Sequence, residues 1–335
     1  MRDRRGSGSG KLSLAIGAIV GIVLLVASAQ AFAQGQGRYP VRPIRLVLPF
    51  PPGGSTDIVA RLVGQKLTDA WGQQVLIDNR PGAGGNVAAE FVARAAPDGY
   101  TLFQANVANA IAASLYPKLG YSLTADFVTV SRLASTPYVL VAHPSMPAKT
   151  LRELVALARS RPGHMNYASA GSGSATHLSA ELLKGMAGVG IVHVPYKGTG
   201  PAVTALLSGE VDMYFATVPA AVPLVKAGRL RAIAVSSEKR SSLMPDVPAI
   251  AESGFAGYDT GTWHGVLAPV ATPRDIVMQL GSEIGRIIGT ADVRERLTGQ
   301  GLDPVGDTPE AFAAFIRSEV AKWARVVAAA GARPE

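Results

Sequence analysis

The chain has 335 residues, 48% of them hydrophobic and 17% charged, with a formal charge of +8. That is too apolar and too weakly charged for a disordered polymer, and long enough for two lobes of about 100–200 residues each. It contains no cysteine, which excludes disulfides, thiol nucleophiles, zinc–thiolate sites and iron–sulfur clusters.

Residues 1–33 read as a leader. Arg2, Arg4, Arg5 and Lys11 stand against Asp3, an uncharged apolar stretch covers 12–27, and Ala31-Phe32-Ala33 precedes Gln34. Basic, then apolar, then small is the order of a secretory signal peptide. A retained anchor is the alternative, although the apolar run is short for a span of about 20 residues. The Arg4-Arg5 pair lacks the hydrophobic context of a twin-arginine signal. Without residues 1–33 the charge falls from +8 to +5. The remaining Lys and Arg are scattered, with no basic run and no aromatic ladder, so nucleic acid is not an expected partner.

In chain order, residues 44–48 read as a buried strand closed by Pro49-Phe50-Pro51-Pro52-Gly53-Gly54. From Ser55 the apolar spacing turns helical through Ile58, Val59, Leu62, Val63, Leu67, Ala70 and Trp71. Strands are expected at 74–78, 100–103, 128–133 and 138–142, with a helix over 87–95 after the glycine-rich turn. A second series follows: a helix at 151–159, a strand at 166–170, a helix marked by Leu178, Leu182 and Met186, and a strand at 191–194. A helix opened by Pro201 and strands at 212–216 and 230–235 complete it. The two series, roughly 40–142 and 143–259, predict α/β layers with mainly parallel strands. Residues 262–268 form another apolar strand. Thr272-Pro273-Arg274-Asp275 and Asp307-Thr308-Pro309-Glu310 read as capped helix starts. The last helix carries an apolar stripe of Phe312, Phe315, Ile316, Trp323, Val326 and Val327, which reads as core packing.

Two units share one design. Residues 44–48 lead through Pro52-Gly53-Gly54 into Ser55-Thr56-Asp57 and a helix. Residues 166–170 lead through Gly171-Ser172-Gly173-Ser174 into Thr176-His177 and a helix. A helix start has up to four unpaired N–H groups and a partial positive charge. Glycine lets a ligand approach the backbone, and Ser and Thr add hydroxyls. Such tips can hold a carboxylate or phosphate without Arg or Lys. Plain N-capping by Ser, Thr and Asp is the competing reading. Lys197-Gly198-Thr199-Gly200-Pro201 is a third candidate tip. Asp57, at a helix start, should have its pKa lowered, which suits a fixed charge better than proton transfer.

Enzyme signatures fail. Gly82-Ala83-Gly84-Gly85-Asn86-Val87 lacks the third glycine of a dinucleotide fingerprint, and there is no Gly-Lys-Ser/Thr phosphate loop and no G-x-S-x-G elbow. The five histidines, His143, His164, His177, His193 and His264, show no H-x-x-x-H spacing. No metal or cofactor is expected. His177 and Glu181, one turn apart, read as an ordinary helix-surface contact.

Over residues 40–330 the chain resembles the substrate-binding receptors of tripartite tricarboxylate transporters, the Bug/TctC family. The matching segments are Pro49-Phe50-Pro51-Pro52-Gly53-Gly54-Ser55-Thr56-Asp57, Asn79-Arg80-Pro81-Gly82-Ala83-Gly84-Gly85-Asn86, Pro97-Asp98-Gly99-Tyr100-Thr101-Leu102, Val194-Pro195-Tyr196-Lys197-Gly198 and Leu267-Ala268-Pro269. The resemblance implies a two-lobed, type II-like periplasmic binding protein, each lobe a mainly parallel sheet flanked by helices. Lobe 1 would comprise 34–141 and 260–335, and lobe 2 142–259, with crossing hinge strands at 138–142 and 262–268. It implies a monomer that closes around a small carboxylate and passes it to membrane subunits, without catalysis. Carried over by motif position, Phe50, Gly54, Ser55, Thr56 and Asp57 would line one wall, and Ser172, Gly173, Ser174, Thr176 and His177 the other. Asn106, Asn109, Gly198, Thr199 and Thr217 are further candidates. Ala216 stands where many relatives carry an acid or amide, which favours a plain carboxylate over an amino acid. The alternatives are an adaptor for a membrane sensor, which would use the same two-lobed body, and a periplasmic hydrolase.

Overall fold

The computed structural model describes residues 39–334, so the leader expected over 1–33 lies outside the described residues. Among the described residues no helix is long and apolar enough to cross a membrane. Residues 42–334 form one compact unit.

The chain begins as strand–helix alternation: β1 (Ile44–Leu48), α1 (Ser55–Trp71), β2 (Val75–Asn79), α2 (Asn86–Ala93), β3 (Thr101–Asn106), α3 (Val107–Leu115) and the long β4 (Phe127–Ala142). It continues through α4 (Leu151–Ser160), β5 (Asn166–Ser169), α5 (Ala175–Ala187), β6 (Val192–Pro195), α6 (Thr199–Ser208), β7 (Met213–Thr217), α7 (Val218–Lys226) and β8 (Arg231–Val235). It closes with β9 (Gly261–Pro269), α8 (Arg274–Ile288), α9 (Ala291–Gly299), β10 (Asp303–Pro304) and α10 (Pro309–Ala330).

The strands order as β2-β1-β3-β9-β4-β7-β5-β6, with β8 and β10 also on β4. β1 pairs parallel with β2 and β3, while β9 runs antiparallel to both β3 and β4. β5 pairs parallel with β6 and β7, while β4 runs antiparallel to β7 and β8. The first half therefore has β1, β2, β3 and β4 running one way with β9 and the short β10 against them, and the second has β5, β6, β7 and β8 running one way with β4 against them. The α/β layers expected from the two series are present, joined into one mixed sheet.

Two separate strands were expected over 128–133 and 138–142; they are one 16-residue strand, β4. Pro137 reads in sequence as a breaker. It sits where β4 changes partners, from β9 (Pro137 opposite Gly261) to β7 and β8 (Tyr138 opposite Thr217). A missing N–H is tolerated at such a handover. The crossing is pinned: Tyr138 N donates to Ser236 Oγ at 2.8 Å, and Ser236 Oγ donates to the Thr260 carbonyl at 2.6 Å. Gly261 presses on the same point, since a β-carbon there would lie 2.6 Å from the Thr136 carbonyl oxygen.

Alternation along β4 builds two cores from one strand. Tyr138, Leu140 and Ala142 face one cluster with Tyr167, Leu183, Phe215 and Tyr258, and Val139 and Val141 face the other with Tyr214, Leu206 and Ala249. A further core holds Phe103, Phe127 and Trp263 from the first half of the sheet with Phe312, Ile316 and Trp323 of α10. The stripe expected on the last helix is thus buried, with Phe315 half-buried against it. Glu319 lies beneath, accepting from Trp263 Nε1 and Trp323 Nε1 at 3.0 Å each.

Of the two expected caps, Thr308 is one: its hydroxyl accepts from Ala311 N at 3.3 Å, ahead of Pro309 in the first turn. Thr272 is not. Its hydroxyl donates to the Pro269 carbonyl at 2.7 Å, and α8 starts without a side-chain cap.

Candidate functional site

The candidate cleft is built where strands end and helices begin. β1 and β3 are neighbours in the sheet, and their carboxyl ends lead into α1 and α3. β5, β6 and β7 lead likewise into α5, α6 and α7. In α/β folds ligands favour such carboxyl ends.

The 49–54 loop is held from below by two residues. Asn79, at the end of β2, donates to the Phe50 carbonyl at 2.9 Å and to Asp57 Oδ1 at 3.3 Å. Asp57 accepts from Gly53 N at 3.1 Å and from Arg61 Nε and Nη2 at 2.9 and 3.0 Å. Arg61's hydrogen bonds hold the Asp57 carboxyl below the usual carboxylate range, against the opposing effect of burial. The fixed charge expected at Asp57 is therefore present, but the carboxylate is buried and engaged within its own loop. Thr56 is buried too: its carbonyl accepts from Gln104 Nε2 at 2.9 Å, and its hydroxyl lies 3.5 Å from His264 Nδ1. Gly54 and Ser55 are exposed. Gly54 is the N-cap of α1 and brings no side-chain acceptor to the first turn.

α3 starts differently. Asn106 Oδ1 accepts from Ala108 N at 2.9 Å and Asn109 Oδ1 accepts from Asn106 N at 3.0 Å, a reciprocal cap. Asn109 also donates to the Tyr121 hydroxyl at 3.3 Å. Asn109 is thereby a structural residue, whereas the Asn106 side-chain amide group keeps no protein partner among the described residues.

The loop between β5 and α5 is internally bonded. Ser174 Oγ accepts from His177 N at 3.2 Å, and Thr176 Oγ1 accepts from Ala170 N at 3.0 Å. Gly171 N donates to Ser169 Oγ at 3.1 Å. Gly173 N donates to His177 Nδ1 at 3.0 Å, which places the imidazole proton on Nε2. Burial pushes the His177 pKa down, with Glu181 opposing. The His177 ring stacks on His193 at 3.9 Å, and His193 in turn on Tyr167 at 5.0 Å. Of the His177–Glu181 pair, expected on a helix surface, His177 is instead buried and Glu181 half-buried, with Nε2 and Oε1 3.9 Å apart. Tyr167 of β5 donates to Glu181 Oε1, and His193 of β6 covers the His177 ring.

A cavity of about 400 Å³ brings part of the expected set together. Phe50, Ser172, Gly173 and Ser174 line it, joined by Ala108, Ile111, Leu115 and Tyr116. Gly54, Ser55, Thr56, Asp57, Asn106, Thr176, His177, Gly198, Thr199 and Thr217 lie outside its lining. Asn106, Thr176 and His177 hold the segments that line it. Gly198 and Thr217 are the N-caps of α6 and α7, and neither helix has a side-chain cap. Thr199 accepts from the Tyr214 hydroxyl at 3.3 Å. Sequence reasoning missed Ala108, Ile111, Leu115 and Tyr116 because it placed no helix over 107–115. The signal available was the Asn106-x-x-Asn109 cap.

The helix starts thus divide by their caps. α3 and α5 have theirs satisfied by Asn106 and Ser174, while α1, α6 and α7 leave first-turn amides without a side-chain acceptor. Uncapped amides and the positive helix end suit an anion. Among the described residues no group of three or more His, Asp or Glu is placed to hold a metal ion.

A family model described as "Tripartite tricarboxylate transporter family receptor" matches residues 59–332. The chain belongs to this family. TctC receptors are solute-binding proteins rather than enzymes, as the resemblance implied. The chain is 38% identical to Protein BugT of Bordetella pertussis over 318 residues, 94% of this chain and 97% of that one. Among solved structures it is similar to Rpa4515 of R. palustris with adipate, at 37% identity and a TM-score of 0.76, over 89% of this chain and 100% of that one. It is also similar to MatC from Rhodopseudomonas palustris with bound malate, at 38% identity and a TM-score of 0.71, over 86% of this chain and 100% of that one. As a TctC-family chain it has the α/β fold of periplasmic binding proteins.

Proposed function

We propose that this chain, exported by its N-terminal segment, captures a small organic carboxylate between two lobes and delivers it to the membrane subunits of a tripartite tricarboxylate-type transporter. The lobes are 34–141 with 260–335, and 142–259. The observation that carries the reading is the uncapped start of α1 at Gly54, whose first-turn amides offer a carboxylate donors at close backbone range. The uncapped starts of α6 at Gly198 and α7 at Thr217 supply donors from the other lobe. Phe50, Ser55, Asn106, Ser172 and Ser174 complete the contact set, while Thr56, Asp57, Thr176 and His177 hold the two loops in shape. The adipate and malate named with the two solved relatives support the ligand class.

The protein works as a monomer. Closure follows from tighter binding to the closed form, which shifts the population toward it. The change of partners along β4 at Pro137 and the turn into β9 at Gly261 are where the lobes would move. The test is thermal stabilisation by a panel of mono-, di- and tricarboxylates. A true ligand at 100 times its Kd stabilises the fold by about 2.7 kcal/mol. A panel that never moves the melting point would overturn the reading, and uptake that survives deletion of the gene would overturn delivery to a permease.

A further inference from the structure

Beneath the 171–174 loop, which lines the cavity, two imidazoles are stacked with ring centroids 3.9 Å apart: His177 in the first turn of α5 and His193 in β6. Each stands behind one glycine amide of the loop. Gly173 N donates to His177 Nδ1 at 3.0 Å. Gly171 N donates to Ser169 Oγ at 3.1 Å, and Ser169 Oγ lies 2.6 Å from His193 Nε2. The first bond has only one direction. A backbone N–H cannot accept, so His177 Nδ1 must carry no hydrogen. An imidazolium carries hydrogens on both nitrogens and cannot take the Gly173 amide. Two charges on the stack are disfavoured as well, because like charges at this distance repel.

The ionisable groups facing His177 come from several elements. On α5 itself Glu181 Oε1 lies 3.9 Å from His177 Nε2, and that carboxylate is shared by Lys184 Nζ and the Tyr167 hydroxyl. β5 presents Tyr167, its ring 6.3 Å from that of His177, and β6 presents His193. β7 presents Tyr214, whose hydroxyl donates to Thr199 Oγ1, and β9 presents His264, placed against the Thr56 hydroxyl. α3 has no charged residue. At the far end of α5, α4 brings Arg159 onto the Ala187 carbonyl, and α10 brings Lys322 and Arg325 into a cavity shared with Glu181 and Lys184. Burial disfavours the charged ring and outweighs Glu181, which favours it.

We propose that His177 is a positioning residue that holds the cavity loop only as the neutral Nε2–H tautomer, and that acid releases Gly173 N and loosens this wall of the cavity. Gly173 is also where the loop meets Leu115 of α3, so a shift there alters the cavity from both sides. On the premise that the cavity belongs to the carboxylate site, the receptor grips its ligand near neutral pH and weakens in acid. The folded ring protonates below the unfolded value near 6.5. The Gly173 bond is therefore intact above the unfolded value and is lost as pH falls through the folded one.

The test is nuclear magnetic resonance on the full ligand-free chain, labelled with nitrogen-15 in histidine and glycine and titrated from about pH 7.5 to about pH 5. His177 should show the Nε2–H pattern at neutral pH, and the Gly173 amide signal should move with the same midpoint as the His177 ring. His177→Asn keeps an acceptor for Gly173 N in its amide oxygen but does not titrate, so its Gly173 signal should stay still. Adipate and malate are then titrated calorimetrically into both proteins over the same range. Wild type should lose about threefold or more in affinity beyond any loss in His177→Asn, a comparison that cancels the ionisation of the acids themselves. A ring that carries its hydrogen on Nδ1, that stays neutral down to about pH 5, or that titrates without moving the Gly173 amide would overturn the proposal. Equal losses of affinity in the two proteins would overturn its effect on binding. A Gly173 step in a chain that binds neither acid, nor any in the wider panel, would remove the carboxylate reading and leave the coupling of His177 to the loop standing.

Discussion

Gly173 of the β5–α5 loop lies against Leu115 at the end of α3, and a β-carbon on Gly173 would sit 2.6 Å from Leu115 Cδ2. Gly173 also holds φ +74°, a conformation that favours glycine. The two proposed lobes therefore touch at a point lining the cavity, and only a residue without a side chain fits there. Leu178, one turn into α5, extends the same contact into the core that α10 closes.

Gly173→Ala should weaken ligand binding, because it meets both Leu115 and an unfavourable φ. Leu115→Ala in the same chain relieves the clash but not the backbone strain of about 1 kcal/mol. Calorimetry on the two single variants and the double variant should show partial rescue. Full rescue would assign the whole effect to contact, and none would assign it to the backbone.

Asp57 is predicted to be structural rather than ligand-binding. Asp57→Ala removes acceptors for Gly53 N, Arg61 and Asn79, and should cost about 2 kcal/mol in a urea denaturation. Because the folded carboxyl titrates below its unfolded value, its contribution is present above the unfolded pKa. It is lost as pH falls through the folded one. The difference between wild type and Asp57→Ala should therefore shrink at strongly acidic pH.

His264 sets a second acid limb, at milder pH. It is fully buried in β9, its Nε2 lacks a partner, and burial pushes its pKa down to about 4. A histidine held neutral in the fold stabilises it fully above the unfolded value near 6.5. That stabilisation is lost as pH falls toward 4. The span corresponds to about 3 kcal/mol. His264→Phe should flatten the fall in stability between pH 6.5 and 4, measured by urea denaturation at several pH values. An unchanged slope would mean that His264 finds a proton acceptor in the fold.

The parts of this molecule legible in its sequence are those where local chemistry and tertiary context agree. β1 occupies the expected residues 44–48, and α1 begins at Ser55, because a short apolar run, a Pro/Gly turn and a 3.6-residue period follow one another without conflict. Helices α3 and α7 escaped because each starts directly at the end of a strand, with no glycine or proline break before it, and α9 because it buries little beyond Val293 and Leu297. The continuity of β4 escaped because Pro137 signals a break that the change of strand partners absorbs. The loops of the candidate site were found by their Gly, Ser and Thr content. Which of those groups remain available to a ligand depends on His177, which takes up Gly173 N from a turn further along, and on Asn79 and Arg61, which engage the Phe50 carbonyl and the Asp57 carboxylate.

If backbone amides at the start of α1 hold the carboxylate, Gly54 is the position where a side chain must interfere with it. Its backbone is extended (φ −83°, ψ 173°), and a β-carbon there meets nothing within 4 Å. A side chain at 54 is therefore tolerated by the fold and obstructs only what approaches from outside. Gly54→Val should lower affinity for the carboxylate by about tenfold or more with an unchanged ligand-free melting point, and Ser55→Ala should change it by only about threefold. Intact binding in Gly54→Val together with abolished binding in Ser55→Ala would contradict the account.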